Sequence, residues 1–329
     1  MLEHGGNLGA AARAYGRPAA DWLDLSAGLN PHWYRAPALS DNAWHRLPEI
    51  DTALLHAACA FYGAPHLLAV AGTQAAIQAL PQLRAPSSVV VAAPSYAEHA
   101  HHWSRHGHTL REVAYADLEN AVDTCDVLVL CNPNNPTGAT VPAATVLAWA
   151  GRLAARGGWL IVDEAFADTA PRISVAAHCA QAGLIVLRSL GKFFGLAGVR
   201  VGFVGAAPAL LGQLADALGP WTVSGPAQQI ARVALGDLAW HGAMRDRLAR
   251  DGERLRVLLG AHGIASCGTD LFQWWPEPAA VALHAHMAER GIWVRLFTSA
   301  AHGIRLGLPP DDAAWRRLAR SLNEWTRQT

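Results

Sequence analysis

The stretch Leu187–Gly205, LRSLGKFFGLAGVRVGFVG, joins two short apolar runs through a loop in which Gly191, Gly195 and Gly198 surround a single lysine, Lys192. A lysine on an ordinary helix face has polar neighbours, and Lys192 has glycines and phenylalanines. An amine in such a setting loses solvation of its charged form, and lysines of that kind form Schiff bases with carbonyl compounds. Read alone, the residue is more readily a surface lysine reaching for solvent. Ser189 stands three residues before it and Arg200 eight after, a hydroxyl and a guanidinium that suit a phosphate.

Outward from this loop the chain alternates short β-branched runs with helical ones. The runs are SSVVVAAP (87–94), DVLVLCNP (126–133), WLIVDEAF (159–166), GLIVLRSL (183–190) and VRVGFVGA (199–206). AEHAHHWSRHG (97–107) and PAATVLAWAGRLAARG (142–157) lie between them. Continuous apolar strands separated by helices predict an α/β domain with a mainly parallel sheet covered on both faces. Polar residues and turn formers follow three runs, as NPNNPTG (132–138), DEAF (163–166) and SLGK (189–192). Ligands of open α/β sheets bind beyond the carboxyl ends of the strands, so these segments are expected to converge on one crevice.

Past about residue 225 the pattern changes to a long helical run, 236–262, then weak strands at LFQWWP, IWVRLF and GIRLGL. A final helix carries Trp315, Leu318, Leu322 and Trp325 on one face and Asp311 and Asp312 at its start. The expected organisation is an N-terminal arm (1–35) that joins the small domain and covers the active site, a large domain (36–225) and a small α+β domain (226–329).

Composition narrows the function. Lysines and arginines number 26 and so do aspartates and glutamates. No overall field gathers nucleic acid or anionic lipid, and an anionic ligand must be held locally. Five scattered cysteines without C-x-x-C spacing, and an N-terminus without an apolar signal core, fit a reducing cytoplasm. No apolar stretch of about 18 residues predicts a membrane span.

Several residues carry candidate chemistry on their own. Asp163 ends a strand, where a buried carboxylate needs a cationic or hydrogen-bonded partner. NPNNPTG holds two prolines that fix a turn and present Asn135. AGTQAAIQAL (71–80) puts Gly72, Thr73 and Gln74 at a helix start, a place for an anion, although Thr73 also reads as a plain cap. EHAHHWSRHGH (98–108) packs His99, His101, His102, His106 and His108 together. His102 and His106 share a helix face, but no acidic or cysteine partner is evident nearby. The segment is read as a solvated face, with no metal expected. Trp274 and Trp275 read as core packing.

NPNNPTG, DEAF and SLGKFFGLAGVRVG, in this order and spacing, resemble the fold-type I pyridoxal-phosphate enzymes of the class I/II aminotransferase group, over nearly the whole chain. The resemblance implies the type I transferase fold and pyridoxal 5'-phosphate as cofactor. By it Lys192 is the Schiff-base lysine, and Asp163 the carboxylate that keeps the pyridine nitrogen protonated. Asn135 holds the phenolic oxygen and Tyr96 stacks on the ring. Gly72, Thr73, Gln74, Ser189 and Arg200 hold the phosphate, and Arg305 binds the substrate carboxylate, where a planar fork matches two oxygens. A homodimer is implied too. Phe166 and Leu47 stand where many relatives have tyrosines that contact the cofactor, so neither hydroxyl contact can form.

EHGGNLGAAARAYG (3–16) and LDLSAGLNP (23–31) resemble the branch of this family that decarboxylates O-phospho-L-threonine in cobalamin biosynthesis. Asn30 is retained there as a substrate contact, and Gly28 replaces an asparagine. Arg295, a second arginine near Arg305 in a chain of no net charge, is expected to bind the substrate phosphate, helped by His4 and the Gly5 and Gly6 backbone. The competing reading is a histidinol-phosphate-type aminotransferase, and a third is a non-enzymatic relative that keeps the fold.

Overall fold

The computed structural model describes residues 5–299 and 301–326. The apolar runs become strands covered on both faces. Every residue of β4 (Val127–Cys131) and β6 (Leu184–Ser189) is buried, as is β5 (Trp159–Asp163) after its first residue. With β1 (Leu67–Val70), β2 (Ser88–Ala93), β3 (Thr109–Ala114) and β7 (Gly202–Gly205) they form a seven-stranded sheet ordered β1-β7-β6-β5-β4-β2-β3.

Two of these strands were not foreseen. β3 lies at the sheet edge with four of its six residues exposed, so its sequence, TLREVA, is too polar to read as a buried strand. β1 has four residues, too few for a pattern.

One strand sets the geometry of everything that follows. β7 runs antiparallel to both its neighbours, whereas the other adjacent pairs are parallel. The carboxyl ends of β1, β2, β4, β5 and β6 therefore meet the start of β7 at a single edge. Ile77, Val91, Trp103, Val129, Ile161 and Leu187 are among the buried side chains packed in one cluster against this sheet.

By packing, the chain separates into two units. One is Trp33–Asn135 with Ala139–Ala243, and holds this sheet; the other takes the chain up to His32, Pro136–Gly138 and the chain from Met244 onward. In the second unit, Arg295–Phe297, Gly303–Gly307, Phe272–Pro276 and Cys267–Thr269 pair antiparallel in that order. Leu23–Asp24 pairs in parallel with Ile292–Trp293. The helix Asp312–Thr326 buries Trp315, Leu318 and Leu322, as its spacing predicts, while Trp325 is half-buried. Trp275 is buried, in keeping with core packing, and Trp274 is half-buried. No described helix is long and apolar enough to cross a membrane.

The end of β6 is anchored from below. Arg188, 3% exposed, is paired with both Glu164 and Asp168, and its guanidinium lies 4.4 Å from the ring centre of Tyr62. Glu164 also accepts hydrogen bonds from the Ser174 hydroxyl at 2.5 Å and the Val175 amide at 2.7 Å. Removing the cation would leave two buried carboxylates facing each other. Arg188→Leu should therefore lower stability by about 3–5 kcal/mol, read as a fall in the denaturation midpoint without change of slope.

Candidate active site

At the shared edge of the sheet, Gly202 opens β7 with Val70 of β1 on one side and Ser189 of β6 on the other. Gly72 follows β1 at φ +74°, directly before the helix Thr73–Ala79. A methyl group there would sit 2.4 Å from Nη2 of Arg200. The guanidinium thus lies hard against the backbone at the helix start. Arg200 has a left-handed backbone, φ 57° and ψ 53°, with Nη1 donating to the Ala197 carbonyl at 3.0 Å. Non-glycine residues adopt that conformation at a cost, and such positions cluster at functional sites. The Ser189 hydroxyl accepts from the Gly191 amide at 3.2 Å. A cation, a hydroxyl and helix-start amides are gathered where a phosphate would fit.

Asp163 ends β5 and is 5% exposed. Its Oδ2 lies 3.0 Å from Nε2 of His99, and its Oδ1 accepts the Ala165 amide at 3.0 Å. The potential ligand atoms of His99, Cys131 and Asp163 all lie within 4.8 Å of one another. Burial alone would lower the pKa of His99, but its hydrogen bonds to Asp163 and Cys131 and the charges of those groups outweigh that, and it is raised from 6.5 to about 10. The protonated imidazole faces the buried carboxylate as a cation.

The turn after β4 is pinned by Asn132. Its side chain donates to the Val141 carbonyl at 3.0 Å and accepts the Val141 amide at 2.9 Å. Asn134 donates to the Pro94 carbonyl at 2.9 Å, which ties the turn to the segment before Tyr96 and leaves Asn135 half-buried at its tip. Lys192 is half-buried, with Nζ 5.2 Å from the ring centre of the buried Phe166. Tyr96 donates its hydroxyl to Oε1 of Gln74 at 3.2 Å, and Gln74 donates to Glu98 at 2.6 Å. Glu98 is also 3.0 Å from Nε2 of His102. Burial, then the charges of Glu98 and Asp163, raises the Tyr96 phenol well above its usual range, so it is a donor.

In the other unit, Arg295 and Arg305 face each other directly across two antiparallel strands. Like charges in that position are destabilising. Arg305 is 5% exposed, and Nη2 donates to the Ser26 carbonyl at 2.6 Å. Its pKa is pulled down to about 9 by burial and then by Arg295, with Asp24 opposing. A guanidinium keeps its proton at physiological pH even so.

The class I and II aminotransferase family model matches residues 20–322. The chain belongs to that family. It is 52% identical, over 98% of its length and 97% of theirs, to a threonine-phosphate decarboxylase of Pseudomonas aeruginosa, and 43% identical over 98% of its length and 97% of theirs to one of Sinorhizobium. Among solved structures, a histidinol-phosphate aminotransferase of Sinorhizobium meliloti in complex with pyridoxal-5'-phosphate superposes with a TM-score of 0.84 at 24% identity. That match covers 100% of this chain and 96% of the other. The fold is the type I fold of pyridoxal-phosphate enzymes.

The residues present fit the coenzyme of this class I and II aminotransferase chain. Gly72, Thr73, Ser189 and Arg200 form a phosphate cradle, Asp163 is a buried carboxylate for a ring nitrogen, and Lys192 is an amine for an aldehyde. The Gln74 side chain bonds Tyr96 and Glu98, and its place at the helix start leaves its backbone beside Thr73. Asn30 is 2% exposed and accepts the His32 amide at 2.8 Å, closing its own turn. His4 lies outside the described residues.

The histidine segment corrects the sequence reading. His99 and His102, on the buried side of the helix Ala97–Arg105, are not solvated, and His108 beyond its end is buried with Nε2 2.9 Å from the Pro81 carbonyl. His99 and His102 also have acidic partners, Asp163 and Glu98, which sit too far away or too near in sequence to stand out. The available signal was the spacing of three from Tyr96 to His99, which places both on one side of a helix start.

A raised histidine pKa stabilises the fold fully below its unfolded value, and that stabilisation is lost as pH climbs through the folded one. In coenzyme-free protein, His99→Asn should cost on the order of 3 kcal/mol near neutrality or below. Thermal melts of both proteins should converge as the pH rises from about 6.5 to about 10. A gap that widens with pH would show that His99 is not the protonated partner.

Proposed function

We propose that the chain is a threonine-phosphate decarboxylase, cleaving O-phospho-L-threonine to (R)-1-aminopropan-2-yl phosphate and carbon dioxide in the aminopropanol arm of cobalamin biosynthesis. The observation that carries this reading is the pair Arg295 and Arg305, two cations on facing strands for a substrate with two anionic groups. The near-full-length similarity to decarboxylases of that name supports it.

The cofactor is pyridoxal 5'-phosphate, which when bound supplies an electron sink for the pair left by the broken bond at the α-carbon. The chain's own residues do the rest. Lys192 is the amine that binds the aldehyde. Arg200, Ser189, Thr73 and Gly72 fix the phosphate end of the ring, and Tyr96, oriented through Gln74, lies against its face. Asn135 holds the phenolic oxygen. Asp163, paired with His99, would hold a proton on the ring nitrogen. Phe166 presents hydrocarbon beside Lys192, where a tyrosine would present a hydroxyl.

Arg305 takes the substrate carboxylate and Arg295 its phosphate, and two anchors remove the free rotation about the α-carbon. Anchored so, the substrate would present for cleavage its bond to the carboxylate. Its electron pair ends in a new carbon–hydrogen bond with a proton from an acid or water, and carbon dioxide leaves. His4, Gly5, Gly6 and Asn30 complete the substrate set.

The chain works as a cytoplasmic homodimer. Trp44, Leu47 and Ile50 are all more than 60% exposed, on a segment joined to the helix Gly225–Gly236 through Ser40–Gln229 and Asp51–Gln228 hydrogen bonds. Val233 of that helix and Trp221 are exposed as well. Apolar area of this kind marks protein interfaces, and sedimentation at micromolar concentration should give twice the mass of the 35.0 kDa chain.

Purified yellow protein given O-phospho-L-threonine should release carbon dioxide with no 2-oxo acid added. Turnover that depends on such an acceptor would instead make it an aminotransferase. Lys192→Ala should abolish turnover and the borohydride-reducible adduct. Arg295→Ala should raise KM by roughly tenfold or more while the coenzyme absorbance stays intact; equal loss of both would remove Arg295 from the substrate site.

A further inference from the structure

Ser26 is fully buried and makes contacts in three directions within its unit. Its hydroxyl accepts the Gly6 amide at 2.7 Å and donates to Oδ1 of Asp24 at 2.7 Å. Its own amide donates to the same Asp24 oxygen at 2.8 Å. Its carbonyl accepts Nη2 of Arg305 at 2.6 Å. The neighbouring peptides continue the clasp, with the Leu25 amide donating to the Trp293 carbonyl at 2.8 Å and the Gly307 amide to the Leu25 carbonyl at 2.7 Å. The approach of the N-terminal segment is just as tight. A methyl group on Gly5 would lie 2.5 Å from the Ser26 carbonyl oxygen, the atom that holds Arg305.

We propose that Ser26 is a positioning residue for substrate. It fastens the Gly5–Gly6 backbone to Arg305, so that the N-terminal segment and the carboxylate-binding arginine are set as one piece. The assignment rests on the substrate reading above, since it takes Arg305 as an anion-binding residue. Nothing in the segment need touch the reacting bond for this to work. A shift of the Gly5 backbone presses on the Ser26 carbonyl and so displaces the guanidinium. Loss of the hydroxyl frees the segment and unseats the turn that Asp24 holds.

The two routes into the clasp give independent variants. Ser26→Ala removes the hydroxyl and keeps the carbonyl, whereas Gly5→Ala keeps the hydroxyl and wedges the carbonyl. Each should lower kcat/KM for O-phospho-L-threonine by about tenfold, the size expected from one misplaced buried hydrogen bond, with the coenzyme absorbance unchanged. Because both act through one element, the double variant should be no worse than the poorer single one. Amide hydrogen exchange at Gly6 should accelerate in both. Losses that multiply, losses that track coenzyme release, or lower melting temperatures with normal kcat/KM would each overturn the assignment.

Should the wild-type protein release no carbon dioxide, the decarboxylase reading fails, and calorimetric binding of O-phospho-L-threonine then decides the clasp. Weaker binding by both variants, without additivity, supports it. Equal binding by wild type and variants, or none by any, ends it.

Discussion

Asp163 is a carboxylate at the buried end of a central strand, 5% exposed, and a buried carboxylate needs a cationic or hydrogen-bonded partner. The His99 imidazole and the Ala165 amide occupy one oxygen each, and His99 is held protonated far above its ordinary value by the same contact. A ring nitrogen can draw on a negative charge here that water would otherwise have screened. Low dielectric makes that interaction stronger, and also makes an unpartnered Asp163 costly.

The direction of β7 is the second constraint. A purely parallel sheet would deliver only strand ends to the crevice edge. With β7 reversed, the loop carrying Lys192 leaves β6 at that edge and returns to it, so Ser189, Lys192 and Arg200 stay within one short excursion. The price is paid in backbone conformation. Arg200 is left-handed, Gly72 has to be glycine beneath it, and Gly202 has to be glycine because a methyl there would lie 2.7 Å from the Thr73 amide.

Much of this could be read from the residues. The buried strands β4, β5 and β6 announce themselves because both faces are covered, so apolar residues run without a break. The loop chemistry follows because turn formers and polar groups collect at the strand ends. What stayed hidden depends on pairs made across the sheet. His99 meets Asp163 over a separation of 64 residues, and Ser26 meets Arg305 over 279. A histidine-rich helix looks solvated until the partner that buries it is known. β3 escaped for the opposite reason, since an edge strand keeps its polar residues and carries no apolar signature.

On the substrate reading proposed above, Arg295 and Arg305 would decide between the chemistries that this fold supports. Arg295 stands opposite Arg305 on adjacent strands, and its charge, with burial, lowers the Arg305 pKa while Asp24 opposes. A ligand with one anionic group relieves part of that repulsion. A phosphorylated amino acid brings a second, at the far end of a short chain from the first. Held at both ends, it cannot turn freely about its α-carbon, so the bond presented to the ring is chosen by the protein and not by chance. Phosphorylated amines that lack a carboxylate are held at one end only and keep that rotation. Selectivity for bond and selectivity for substrate thus arise from one electrostatic feature, and a change that tilts Arg305 should disturb both together.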